Sequence, residues 1–378
     1  MNPWNKAFRE VESSGEVKNL IDTNFHRAGW HHRAEALEPL WSQYLESRCY
    51  SPHPKGSLSA RESLVKFYQK QQCPVTLSPE DFFLTASTSE AYSLLFHLLC
   101  QTGDTLLLPK PGYPLFEHLG NLARTTCAYY HLEYPGWRLT LESLEKAWTP
   151  GCKVLVLISP HNPTGRVFTQ DEVNLALDFC ENKNLALVWD EVFDPWLFLP
   201  EDKHLPRPWQ VHPRIPVFLL NGISKRFASA DLKLGWIGVQ GPASWKKAFL
   251  ETLEVANDTL LSCNSFSQAL LPWFFENSAK LLETMTSQAA ENREIIHSEL
   301  GNYCDPLPEG GLHCVLNFPD CPWDDETLAV KLLKKGYALH PGYFYDLPGC
   351  RLVLSLVHEP GVFKRCIRGL KEVLRELV

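Results

Sequence analysis

From about residue 80 onward, short apolar runs alternate with stretches of helical spacing. Residues 82–85, 105–109, 154–158, 185–189, 217–220 and 234–239 each read as a strand with almost no polar position. Residues 87–99 and 173–182 between them carry amphipathic helical patterns. A strand that is apolar on both faces belongs inside a covered sheet, and strands that alternate with helices make that sheet mostly parallel. The expected fold class is α/β, with helices on both faces of a mostly parallel sheet. Ahead of this region, residues 1–35 are polar and irregular and predict an extended arm. Residues 34–46 and 59–72 predict helices, joined through a Pro/Gly-rich loop at 50–56. Beyond it, residues 243–300 are dominated by long helical patterns. Strands at 314–318, 337–340 and 351–357 then alternate with helices at 326–334 and 362–377, a second and smaller α/β layer. The organisation expected is an arm that forms part of the small domain (1–35), a large domain (36–275) and a small C-terminal domain (276–378).

Composition narrows the function classes. The 378 residues are too many for one simple core and fit two domains. A net charge of −8 argues against nucleic acid, which demands a basic surface. The 12 cysteines are scattered without a C-x-x-C pair, a pattern of reduced thiols. No apolar h-region follows Met1, and no apolar run approaches the roughly 18 residues of a membrane span. A cytoplasmic protein is expected. His31-His32 and the cysteines lack metal-ligand spacing, so no metal is expected.

Candidate chemistry clusters just past strand ends, where open α/β sheets bind ligands. Asp190 ends the run 185–189. Asn162, in Asn162-Pro163-Thr164-Gly165, follows 154–158. Ser224-Lys225 follows 217–220. Each has an ordinary reading too: a turn aspartate, a β-turn asparagine, a loop lysine. Ser87-Thr88-Ser89 opens a helix, a place suited either to a plain cap or to a phosphate. Tyr113, in Pro111-Gly112-Tyr113-Pro114, reads alone as a loop tyrosine.

The order of these motifs, with Lys233-Leu234-Gly235-Trp236 after Lys225, resembles the class I/II aminotransferases, the fold-type I pyridoxal-phosphate enzymes, over roughly residues 20–375. The resemblance implies a seven-stranded sheet in the large domain and pyridoxal 5'-phosphate as cofactor. It implies that Lys225 holds the cofactor's aldehyde and carries a proton. Asp190 would keep the pyridine nitrogen protonated, and Asn162 would hydrogen-bond the phenolic oxygen. Ser87, Thr88, Ser89, Ser224 and Lys233 would hold the phosphate, and Tyr113 would stack on the ring. Tyr50 would reach the phosphate of a second subunit, which implies a homodimer. The implied reaction is ping-pong transfer of an amino group between an α-amino acid and a 2-oxo acid. C–S lyase, decarboxylase or racemase activity on the same fold stays open, as does a protein that binds the cofactor without catalysis.

Four departures from the family pattern stand out. Lys233 replaces an arginine, which removes a bidentate fork. Phe193 replaces a tyrosine, and Gly222 a serine. In a late strand Val353 falls where an arginine usually binds the substrate carboxylate, which leaves Arg351 and Arg27 as candidates for that task.

Overall fold

The computed structural model describes residues 2–15, 17–71, 77–200, 205–208, 214–261, 263–304 and 306–378. It opens with a helix, Pro3–Ser14, and a short strand, β1 (Lys18–Asn19). This corrects the irregular arm expected for residues 1–35. Trp4, Ala7, Phe8 and Val11 fall at helical spacing on one face. Asn2 caps the first turn by accepting from the Asn5 N–H at 2.8 Å, and Pro3 sits where its missing N–H costs nothing. Trp4, Leu20, Phe25 and Trp30 are buried in the same core as the C-terminal layer.

The main sheet has seven strands: β2 (Phe82–Thr85), β3 (Thr105–Lys110), β4 (Thr126–His131), β5 (Cys152–Ile158), β6 (Ala186–Asp190), β7 (Val217–Gly222) and β8 (Gly235–Gln240). Their spatial order is β2-β8-β7-β6-β5-β3-β4. The strands from β4 to β7 run parallel, and β8 is antiparallel to both its neighbours, β7 and β2. Strand β4 has no apolar run to announce it: it lies at the sheet edge, and only Tyr130 in it is buried. Elsewhere the twofold alternation of a strand divides the core. Leu155 and Leu157 face one side, with Leu187 and Trp189. Val154, Val156 and Ile158 face the other, with Leu106 and Val188. Helices Leu58–Lys70 and Gln170–Lys183 cover the first face, and helix Thr88–Leu99 covers the second. Gln72, the expected end of the helix beginning near Ser59, lies outside the described residues.

The smaller layer contains β9 (His313–Asn317), β10 (Tyr337–Ala338), β11 (His340–Pro341) and β12 (Arg351–Ser355). The single strand expected at 337–340 divides in two. Strand β10 pairs with β1 of the arm, whereas β11 joins an antiparallel sheet of order β11-β12-β9. Among the described residues no helix is long and apolar enough to cross a membrane.

One edge of the main sheet gathers the candidate residues. The carboxyl ends of β5, β6 and β7 lie there beside the start of β8. Gly235 pairs with Gly222 of β7 on one side and with Thr85 of β2 on the other, which draws the turn after β2 to the same edge.

Candidate active site

A cavity of about 860 Å³ opens at that edge. Asn162, Asp190, Ser224, Lys225 and Lys233 line it, and so do Ser87, Thr88, Ser89 and Tyr113. Residues from five separate stretches of sequence are thereby brought together.

Asp190 is the last residue of β6 and is 5% exposed. Its Oδ2 accepts from the Tyr92 hydroxyl at 2.8 Å, and its Oδ1 accepts from the Val192 N–H at 2.8 Å. Burial pushes the carboxyl up to about 6, against the opposing pull of those two hydrogen bonds. Lys225 sits in the single helical turn Ile223–Arg226 after β7. Burial, and then the charge of Lys233, lowers its pKa. Its Nζ lies 5.3 Å from the centre of the Phe25 ring, which the N-terminal arm supplies. Among the described residues no carboxylate pairs with it.

The two are braced from behind. Arg226 Nη1 donates to Asp194 Oδ2 at 2.5 Å. Arg207 bridges Asp194, at 3.4 Å, and Glu191, at 2.8 Å. The residue after Asp190 and the residue after Lys225 therefore belong to one buried ion network. Removing one partner from such a network strands a buried charge.

Backbone shape sets the other groups. The turn bearing Asn162 closes through the Gly165 N–H, which donates to the His161 carbonyl at 2.8 Å. Gly165 has φ +68, and a Cβ there would lie 2.3 Å from Pro308 Cβ, so only glycine fits. The Asn162 side chain lines the cavity with its Oδ1 buried and unpartnered. Ser87 caps helix Thr88–Leu99, its Oγ accepting from the Glu90 N–H at 3.2 Å. The amides that follow point outward, as at any helix start. The turn rests on Gly235, where a Cβ would meet the Ser87 carbonyl carbon at 2.8 Å. Gly222 is extended, but a Cβ on it would lie 2.8 Å from the Leu234 carbonyl oxygen. The chain has a glycine there because strand β8 leaves no room for a side chain. Lys233 adopts a left-handed φ of 52 at the cavity margin.

A family model described as aminotransferase class I and II matches residues 44–365. The chain belongs to that family. It is 31% identical to alanine aminotransferase of Mycobacterium tuberculosis over 198 residues, 52% of this chain and 46% of that one. It is 28% identical to nicotianamine aminotransferase B of Hordeum vulgare over 273 residues, 70% of this chain and 49% of that one. The chain spans about half the length of the curated relatives it matches. Alanine aminotransferase from Pyrococcus furiosus has the same fold, with a TM-score of 0.90 at 20% identity, covering 98% of this chain and 96% of that one.

Class I and II aminotransferases use pyridoxal phosphate, and the side chains fit it. The Asn162 carboxamide, with its Oδ1 unpartnered, the buried Asp190 carboxyl, the amine of Lys225 and a helix start all line one space. Three of the expected residues lie outside this cavity, two of them the arginines expected to bind substrate and the third Tyr50, whose expected place is the site of a second subunit. Tyr50 is 86% exposed and lines a separate groove with Tyr44 and Cys263. Arg27 pairs with Asp22 at 2.9 Å. Arg351 lays its guanidinium 4.8 Å over Tyr134 and 5.5 Å over Trp137, with its Nε buried and unpartnered. Neither arginine lines the cavity.

Sequence reasoning passed over Tyr92, His313, His340 and Tyr345, all of which line it. Tyr92 had a signal: it lies one turn after Thr88, on the buried face of its helix with Ala91, Leu95 and Phe96. The other three come from the smaller layer, where no local pattern ties them to the strand ends.

Proposed function

We propose that the protein transfers an amino group between an α-amino acid and a 2-oxo acid, with pyridoxal phosphate held in this cavity. The observation that carries the reading is a pair of opposite electrostatic needs in one space. Among the described residues, Asp190 is a buried carboxyl that pairs with no cation, and Lys225 is an amine that pairs with no anion. The cofactor, when bound, supplies an electron sink for the charge left at the substrate α-carbon. Lys225 would hold the aldehyde through Nζ and, once displaced by the substrate's amine, would be the free base that moves the α-proton, a task its lowered pKa favours. Asp190, oriented by Tyr92, holds the proton on the ring nitrogen. Asn162 donates to the phenolic oxygen. The amides and hydroxyls of Ser87, Thr88, Ser89 and Ser224, together with Lys233, hold the phosphate, and Tyr113 covers the ring.

A homodimer and a cytoplasmic location belong to the same reading. Tyr50, Leu260 and Leu261 are exposed on segments that border one groove, and a second copy covering it would bring Tyr50 toward the other phosphate. The chemistry is tested by incubating the protein and cofactor with alanine, aspartate, glutamate, aromatic amino acids or cystathionine, with and without 2-oxoglutarate. Amino-group transfer that requires the oxo acid is expected. Release of ammonia and an oxo acid from cystathionine without it would assign a lyase instead.

A further inference from the structure

Phe193, from the segment after β6, and His313, His340, Phe344 and Tyr345, from the smaller layer, form a ring-lined wall of the cavity, and Tyr113 lines the cavity as well. The rings contact one another. His313 meets Phe193 edge-on at 6.5 Å and Tyr345 at 6.3 Å. His340 lies 5.1 Å from Phe344, and its Nδ1 is 3.0 Å from the Tyr345 hydroxyl. Among the described residues, Asp190, Lys225 and Lys233 are the only Asp, Glu, Lys or Arg side chains lining the cavity. The nearby arginines are engaged elsewhere: Arg226 with Asp194, Arg27 with Asp22, Arg351 with two aromatic rings. Burial pushes His313 down to about 3, helped by Lys225 and His340, and pushes His340 down to about 4. Both imidazoles are thus neutral near pH 7, each with one donor and one acceptor nitrogen.

We propose that this wall is the side-chain subsite and that it selects aromatic amino acids over acidic ones. The inference rests on the aminotransferase reading. A second carboxylate pressed into the wall loses water and finds no cation, a penalty that a ring does not incur. A ring gains edge-to-face and stacked contacts with its neighbours. A phenol or imidazole substrate also finds hydrogen-bond partners in the two histidines.

Calorimetry on the protein loaded with pyridoxal phosphate tests the wall without requiring turnover. The probes are 3-phenylpropanoate and glutarate, which share one carboxylate and differ at the far end. The phenyl compound is expected to bind at least about tenfold tighter. Glutarate binding equally or more tightly overturns the proposal. Phenylalanine should then exceed aspartate and glutamate in kcat/KM by about a hundredfold. Aspartate or glutamate within tenfold of phenylalanine also overturns it. If no amino acid is turned over, the aminotransferase reading fails, while the calorimetric ratio still judges the wall. His313→Ala is expected to weaken 3-phenylpropanoate at least fivefold and leave glutarate unchanged. An unchanged ratio removes His313 from the subsite.

Discussion

The two walls of the cavity are made on different terms. The wall at the ends of β5, β6 and β7 holds Asp190 and Lys225, a carboxyl and an amine whose charges are opposed by burial. The facing wall, from β9, β11 and the turn after it, holds His313, His340, Phe344 and Tyr345 and carries no formal charge. One wall is a frame for an ion with charge at two places. The other is a surface for shape and ring contact. Buried charge needs a partner, from the protein or from a ligand; on the proposed reading the charged wall would hold the cofactor and the neutral one the part of the substrate that varies.

The largest effect on the charged wall should come from Lys225. Lys225→Ala is expected to remove transfer by a factor on the order of 10⁴ or more and to leave no cofactor attached after borohydride reduction. An adduct retained in the variant would assign the covalent role to another lysine. Asp190→Asn should separate stability from function. A carboxyl whose folded pKa exceeds its unfolded value takes up protons on folding. Below both values nothing is lost; as pH rises through 3.8 toward about 6, the unfolded carboxyl ionises first and stability falls. That gap corresponds to a deficit on the order of 3 kcal/mol above pH 6. The cofactor-free Asn variant should therefore melt higher than the parent at pH 8, with the difference vanishing toward pH 4. Its transfer rate should fall by about 10²–10³-fold. A variant that melts no higher at pH 8 would mean that Asp190 is answered by a charge inside the protein.

The same division explains what could be read before the fold was known. The strands β2, β3, β5, β6, β7 and β8 are announced by apolar runs, because both their faces are covered. Asp190, Asn162 and Lys225 are legible because each follows such a run directly and turn chemistry fixes where it points. Strand β4 was hidden because an edge strand need not be apolar. The helix Pro3–Ser14 was hidden because its apolar face, Trp4 to Val11, is narrow within a polar stretch. His313 and His340 were illegible for a stronger reason: only the docking of the smaller layer onto the strand ends makes them neighbours of Lys225. Local pattern carries the charged wall at the strand ends, and tertiary packing alone brings the histidines of the smaller layer to face it.

A smaller effect tests whether the charged wall lacks a hydroxyl by accident or by sterics. Gly222→Ser restores a side chain common in the family, but its Cβ would sit 2.8 Å from the Leu234 carbonyl oxygen. The expected outcome is a loss of about 1–3 kcal/mol in urea unfolding, with no gain in pyridoxal-phosphate affinity. Unchanged stability with tighter cofactor binding would show that β8 yields easily and that the phosphate contacts are not constrained by its packing.

The smallest effects should come from the two arginines outside the cavity. Arg27 is exposed and held by Asp22, and Arg351 lies on Tyr134 and Trp137. If the substrate wall is uncharged, Arg27→Ala and Arg351→Ala should each leave the affinity for phenylalanine and for 3-phenylpropanoate within about twofold. Arg351→Ala should still cost about 1 kcal/mol of stability, because the guanidinium packs on two rings. Stability and affinity thus move independently for this residue, and the pair of measurements distinguishes a packing arginine from a substrate anchor. A tenfold loss of affinity in either variant would put a cation on the substrate side and erase the contrast between the walls. The carboxylate shared by all α-amino acids would then be held by a side chain that must move into the cavity to reach it.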